Sequence, residues 1–334
     1  MWPARIMPAW PVLLISLALT TAPAAAGPVP VDPVRVGLIA GQAPWPASLA
    51  AGAQEAADRI NREGGVDGRP LVLTRLATAR PWHDGASRIS RLAATPGTVA
   101  LLGAVDGGEA HLAAQVASRL RLPLVTVSPE ESLTQAGSVW VFRAIADDHE
   151  QARSLLARIP GGTAGRHATL VIPGGREGRE RQAAVGRAWR ESGMGQLTIL
   201  TVPPALPPAP ARDEILLLWL DAGPARLLLE SWSERRPAGL LLGSTRLNHP
   251  AFLHGLDRNN LMLPGGADDL SRRLGRDLVN MLARALADAG EGSHALRAAL
   301  AATPSFSGET GIMMFDRLGN RREADPASAL FAER

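Results

Sequence analysis

The chain carries seven histidines, and none falls in the His-Glu-x-x-His spacing that sets two imidazoles and a general base on one helical face. His249 and His254 stand five residues apart beside a proline, which does not build a shared metal site. No Gly-x-Ser-x-Gly elbow occurs, and the serines of "GSTRL" and "FSGETG" have no base and orienting group patterned around them. The glycine-rich runs "PGGREGRE" and "GAVDGGEA" lack the spacing of a dinucleotide fingerprint, so no cofactor is expected. With no cysteine in the chain, disulfides, thiolate metal sites, a thiol nucleophile and a lipidated cysteine anchor are excluded. What remains is recognition rather than catalysis. Gly107 and Gly108 offer backbone N–H groups that suit an anion, although a glycine-rich turn is usually only a turn.

The material around these groups is globular: 46% of 334 residues are hydrophobic, enough for two ordinary domains or one large one. The sequence pI is about 10.8 although the net charge is only +3. All 35 basic residues are arginines and tyrosine is absent, so almost nothing titrates between histidine and arginine, and the high pI reflects that gap. No basic run interleaved with aromatics appears, and no nucleic-acid partner is expected. Residues 1–26 read as a secretory signal peptide, with Arg5, an apolar core from Val12 to Leu19, and Ala24-Ala25-Ala26 before Gly27. That core is shorter than the roughly 20 residues that span a bilayer. The processed chain is therefore expected to be periplasmic and not itself membrane-spanning.

The elements that would position a site alternate regularly. "VRVGLIAG" reads as a buried strand, and "ASLAAGAQEAADRINRE" keeps Leu49, Ala53, Ala56, Ala57 and Ile60 on one helical face. Gly64-Gly65 ends that helix in a left-handed cap before strand "PLVLTRL". Helix 85–94, strand "TVALLGA", helix 109–120 and strand "PLVTVS" follow. A second series starts after Arg143: helix 148–159, strand "ATLVIPG", helix 179–192, strands "LTILTV" and "ILLLWL", helix 224–234 and strand "GLLLGS". Near-continuous apolar strands alternating with helices predict an α/β fold of two doubly wound parallel-sheet lobes. "VPPALPPAPAR", Val202 to Arg212, is either an extended polyproline-like connection that leaves part of the second sheet uncovered or an ordinary surface loop. Ligands of such sheets bind beyond the carboxyl ends of the strands. The loops there are Gly41–Ser48, Gly103–Glu109, Ser128–Ser132, Pro173–Gly178, Asp221–Pro224 and Gly243–Arg246.

The first loop and helix, the "INREGGVDGRPL" exit, "LLGAVDGGEA", "PLVTVSP", "VWVFRAIADDHEQA" and the late "MMFDRLGNRR" together resemble type I periplasmic solute-binding proteins, the branched-chain amino acid (Leu/Ile/Val-binding) family of ABC importers. The resemblance implies a multi-crossover hinge between lobe I, residues 33–143 plus 266–319, and lobe II, residues 144–265 plus 320–334. It implies a small-molecule ligand clasped between the lobes and an inner-membrane ABC permease as partner. Carried across, Trp45 falls where the family sets an aromatic ring against the ligand. Gly107 stands where a Ser hydroxyl holds the ligand carboxylate, with Asp106 and Gly108 beside it. Ser128, Glu130 and Ser132 lie in the loop that supplies amine and carboxylate contacts. Glu177 and Ala222 replace aromatics, and Thr245 replaces the acid that holds an ammonium group.

With that amino-acid signature largely missing, a plain branched-chain amino acid is not expected, because a buried zwitterion needs both charges paired. Asp106, Glu109, Glu130 and Glu177 would instead make an acidic crevice for a cationic or polyhydroxylated solute, partly compensated by Arg143 or Arg176. Acids near helix N-termini are more often solvated caps than ligand contacts. The amphipathic helix 269–290, with Leu270, Leu274, Leu278, Met281, Leu282 and Leu286 inward, is expected to return the chain to lobe I. The rival reading is an accessory protein that reuses the fold for a partner contact without transport, and an enzyme ranks last.

Overall fold

The computed structural model describes residues 32–77, 84–160, 165–193, 195–202, 215–232, 239–265, 269–290, 292–302 and 305–322. Residues 1–26, which the sequence analysis reads as a signal peptide, and residues 203–212 of the proline-rich run lie outside them. The first sheet is parallel, with strands β1 (Val34–Ile39), β2 (Leu71–Leu76), β3 (Thr98–Gly103), β4 (Leu124–Thr126) and β5 (Val141–Arg143) in the order β2-β1-β3-β4-β5. Its strands are apolar on both faces because both faces are covered. Val36, Leu38, Leu102, Val125 and Phe142 join one core, while Ile39, Leu101, Leu124 and Val141 join the other, the period of two that a pleated strand imposes. Helices α2 (Ala86–Ala93) and α3 (Gly107–Leu120) cover the second of these faces.

Helix α1 (Pro44–Arg62) covers the first face and buries Leu49, Ala53, Ala56, Ala57 and Ile60, the stripe expected from the sequence. It ends where Gly64 and Gly65 take φ of 109° and 79°. Its partner there comes from far along the chain. Helix α9 (Leu270–Ala289) buries its leucine stripe against α1, backbone to backbone. A Cβ on Gly52 would stand 1.9 Å from the Arg272 carbonyl oxygen, and one on Gly275 would stand 2.1 Å from that of Leu49.

Beyond α9, helix α10 (Ser293–Ala302) and an antiparallel sheet of β11 (Phe306–Gly308), β12 (Gly311–Phe315) and β13 (Arg321–Arg322) close the same core with Leu296, Leu300, Phe306, Met313 and Phe315. The sequence reading had no α10. The buried Asp277 of α9 anchors the β11–β12 turn, accepting from Glu309 N at 2.8 Å, Thr310 N at 2.7 Å and Thr310 Oγ1 at 2.6 Å. Asp277→Ala strands these donors and is expected to cost about 3 kcal/mol. The readout is a lower urea midpoint at an unchanged slope.

The second sheet holds β6 (Ala168–Pro173), β7 (Leu197–Val202), β8 (Ile215–Leu218), β9 (Leu241–Gly243) and β10 (Leu261–Met262), all parallel, in the order β10-β9-β8-β6-β7. Helices α5 (Asp148–Leu156) and α6 (Gly175–Glu191) pack on one face, and α7 (Ala222–Ser231) and α8 (Pro250–Leu253) on the other. Helix α6 begins four residues before the expected Arg179, so Glu177 sits in its first turn rather than in a loop. The Gly/Arg-rich start has no apolar periodicity to mark it, and an acid in the first turn complements the free N–H groups there. Strand β5 and the short helix α4 (Ser132–Gln135) were likewise not expected. The strand order reverses between β1 and β3 in lobe I and between β6 and β8 in lobe II, which is where doubly wound sheets open a crevice.

Candidate functional site

A cavity of about 670 Å3 lies between loops leaving those two reversal points. Lobe I lines it with the entry to α1, from Gly41 to Pro46, and with Val105, Asp106 and Glu109; lobe II lines it with Asp221, Ala222, Gly223, Pro224 and Arg246. Two hydrogen bonds tie the walls together across the lobes. Trp45 Nε1 donates to Thr245 O at 3.0 Å, and Arg246 Nη2 donates to Val105 O at 3.1 Å.

Arg246 and Arg181, both buried, form a charged layer in the lobe II wall. Arg246 Nη1 donates to Asp221 Oδ1 at 3.0 Å and Nη2 lies 3.4 Å from Glu177 Oε1. Arg181 donates to Trp219 O at 2.6 Å and pairs with Glu177. Burial opposes charge on Arg246, but Asp221, Glu177 and Asp148 outweigh it and raise its pKa. Asp148 accepts from Trp219 Nε1 at 2.9 Å, and burial pushes its carboxyl up to about 6 against the pull of the two arginines. The lobe II cation is thus already matched by acids of its own lobe.

The lobe I wall is different. Asp106 caps α3 by accepting from Glu109 N at 3.1 Å. Glu109, 4% exposed, has no cation beside it among the described residues; burial first and the Asp106 charge second push its carboxyl up to about 8. At neutral pH it mostly holds its proton, and a positive group placed beside it would favour the carboxylate instead. Among the described residues no cluster of three His, Cys, Asp or Glu could hold a metal ion.

The sequence of residues 33–210 matches the family model described as periplasmic binding protein. The chain belongs to that family. Similar solved structures include the branched-chain amino acid transporter substrate-binding protein LivJ from Streptococcus pneumoniae in complex with isoleucine, at 18% identity over 87% of this chain and 94% of that one, with a TM-score of 0.73. A solute-binding protein of an ABC transporter from R. palustris in complex with benzoate is 15% identical over 87% and 91%, with a TM-score of 0.71. One from Rhodopseudomonas palustris BisB5 in complex with 3,4-dihydroxybenzoic acid gives 15%, 87%, 91% and 0.70. At such identities the likeness establishes the fold: two α/β lobes with parallel sheets. No curated protein matches. Among the described residues no helix is long and apolar enough to cross a membrane.

In this periplasmic binding protein a second junction joins the lobes beside the cavity. Glu130 belongs to the loop between β4 and α4 and is only 7% exposed. Its Oε1 accepts from Arg176 Nη2 of α6 at 2.7 Å and its Oε2 from Nη1 at 3.2 Å. His111 Nε2 of α3 lies 3.0 Å from Oε2 and 3.1 Å from Ser132 Oγ. Burial pushes Glu130 up, but His111 and Arg176 outweigh it and hold the carboxyl below its ordinary range. Arg187 Nη2 meets Glu131 Oε2 at 2.5 Å in the same junction.

Of the residues singled out from the sequence, Trp45, Asp106, Glu109 and Ala222 line the cavity. Gly107 and Gly108 are buried in the first turn of α3, Gly107 directly beneath the Glu130 carboxylate. Ser128 is buried at the end of β4, its N–H donating to Thr126 Oγ1 at 3.1 Å. Ser132 joins the His111 cluster. Thr245 contributes main chain only, its N donating to Gln151 Oε1 at 2.9 Å and its O accepting from Trp45.

The expected crevice of four acids partly compensated by Arg143 or Arg176 is narrowed: Asp106 and Glu109 face the cavity, Glu130 is paired with Arg176, and Glu177 is paired with Arg181. Arg143 does not compensate the acids. It is buried at the lobe boundary, bonded to Glu130 O, Asp147 and Asn320. Gln42, Asp221 and Arg246 also line the cavity; the sequence marks them only as members of the strand-end loops, not as individual residues.

Proposed function

We propose that this protein is the periplasmic substrate-binding component of an ABC importer. It is exported by a cleaved signal peptide, closes its lobes on a small polar organic solute, and delivers it to an inner-membrane permease. The two moving bodies are residues 33–143 plus 266–319 and residues 144–265; the expected return of the chain to lobe II at 320 is corrected, because Arg321–Arg322 pair with β12 and move with lobe I. The solute is not a plain branched-chain amino acid. The observation that carries this reading is the charge of the cavity lining, where Arg246 is paired with Asp221 and Glu177 while Asp106, which only adds its field to that of Arg246, and Glu109 make no ion pair of their own among the described residues. Isoleucine and benzoate, bound by two of the similar proteins, each bring a carboxylate, and among the described residues of the lining the one guanidinium, that of Arg246, is already paired. An organic cation suits the lining better, its charge beside Glu109 and Asp106 and its apolar body against Trp45, Val105 and Pro224; a polyhydroxylated solute is the second choice.

A thermal-shift screen of the processed chain tests this with quaternary ammonium compounds, polyamines, amides, sugars, leucine and benzoate. A solute present at 100 times its Kd adds about 2.7 kcal/mol, a rise of several degrees. A cation is expected to give that rise and, at neutral pH, to displace the Glu109 proton, seen as a buffer-dependent binding enthalpy. A rise with leucine overturns the charge argument. No rise with any compound, together with recovery of a stable periplasmic partner, favours the accessory-protein reading.

A further inference from the structure

We propose that Glu130 is a tethered ligand: its carboxylate fills the corner of the cleft beside the first turn of α3 and draws Arg176 of lobe II onto it, so that the lobes shut without a solute and a solute carboxylate finds no seat there. This deepens the reading of the cleft as a solute site and names how that site is regulated.

Three observations carry the proposal. The first is the bond itself. A bidentate guanidinium–carboxylate pair fixes orientation as well as distance, and here its two halves belong to different lobes, with His111 holding the carboxylate from the lobe I side.

The second is Gly107. Its backbone is ordinary helix, so no unusual φ asks for glycine. Space does: a Cβ would stand 1.5 Å from Glu130 Oε1 and 2.0 Å from Cδ. Any side chain at 107 would evict the carboxylate, so the pair Gly107 and Glu130 is built as a unit.

The third is the spacing on α6. Arg176 and Arg187 are eleven residues apart, about three helical turns, and meet the consecutive acids Glu130 and Glu131. One edge of a lobe II helix is therefore matched to one loop of lobe I in a single register. An open arrangement separates both pairs at once and leaves the largely buried Glu130 without its guanidinium.

The absence of cysteine makes the test direct. Ser87→Cys in α2 and Ser231→Cys in α7, both exposed and in different lobes, supply two thiols for spin labels, and the interlobe distance is read in the full processed chain without solute. The wild-type background is expected to show one short, narrow distance population. Arg176→Ala and Gly107→Ser, the second of which keeps every charge, are both expected to shift it to longer and broader distances. Glu130→Ala is expected to do the same and to recover the short population on addition of acetate, which replaces the missing carboxylate. Far-UV circular dichroism and melting curves establish that each variant is folded.

A wild-type distribution as long as that of Arg176→Ala overturns the proposal. So does an Arg176→Ala or Gly107→Ser distribution as short as wild type, or a Glu130→Ala protein indifferent to acetate. None of these readings needs a solute. A failed solute screen would count against the transport reading and leave the distances untouched, while an open wild-type distribution would sink the tethered ligand and leave the screen untouched.

Discussion

Replacing Glu109 with glutamine stabilises the protein at pH 8 and changes it little at pH 4.5. The folded chain holds the Glu109 proton until about pH 8, chiefly through burial and then through the Asp106 charge, whereas an ordinary glutamate releases it near 4.5. Between those values the native state binds more protons than the unfolded chain, so stability falls as pH rises and levels off beyond pH 8. At about 1.4 kcal/mol per pH unit, the penalty removed by Glu109→Gln at pH 8 is about 4 kcal/mol. Asp148, raised to about 6, adds a decline of the same sign that is complete by that pH. Glu130 has the opposite sign: its carboxyl is depressed, so its contribution is present above the ordinary glutamate value and lost as pH falls through the folded one. Melting curves of Glu109→Gln and wild type at pH 4.5 and 8 check the argument. An equal shift at both pH values would mean the side chain acts by packing and not by its proton.

Gly275→Ala is expected to be strongly damaging for so small a substitution, at about 3 kcal/mol. Its new methyl would meet Leu49 O at 2.1 Å and Ala53 N at 2.8 Å, both main-chain atoms that cannot rotate away. Relief requires α1 and α9 to part, which opens the core they share around Leu49, Leu274 and Leu278. Gly186→Ala on α6 gives the contrast, since its Cβ would find only Arg190 Nη1 at 3.5 Å. There the better helix propensity of alanine, up to about 1 kcal/mol, is expected to win and the sign to reverse. Urea midpoints of the two variants separate the cases, and a Gly275→Ala protein as stable as wild type would refute the close approach of the helices.

Much of the architecture is written in local patterns. Runs such as "VRVGLI", "TVALLG" and "ILLL" are apolar on both faces because helices cover both, and that alone distinguishes a parallel sheet from an exposed antiparallel one. The leucine period of α9 and the Gly64-Gly65 exit of α1 are equally local, since each depends on neighbours within a turn or two. The start of α6 is not legible because its first turn carries glycine and arginine where a periodic stripe would mark a boundary, and α10 shows only the single pair Leu296 and Leu300 in an alanine-rich run.

The cleft divides in the same way. The chain by itself determined two doubly wound lobes, strand-end loops as the place to look, and the absence of thiol chemistry, because secondary structure and composition are properties of short stretches. Only the tertiary structure decided which acids remain available. Glu130 and Arg176 are 46 residues apart and Arg246 meets Val105 across 141. Whether a carboxylate is an open binding group or half of an internal pair depends on which guanidinium folding brings within about 3 Å of it. No spacing along the chain encodes that approach, because it is set by how the two lobes come together.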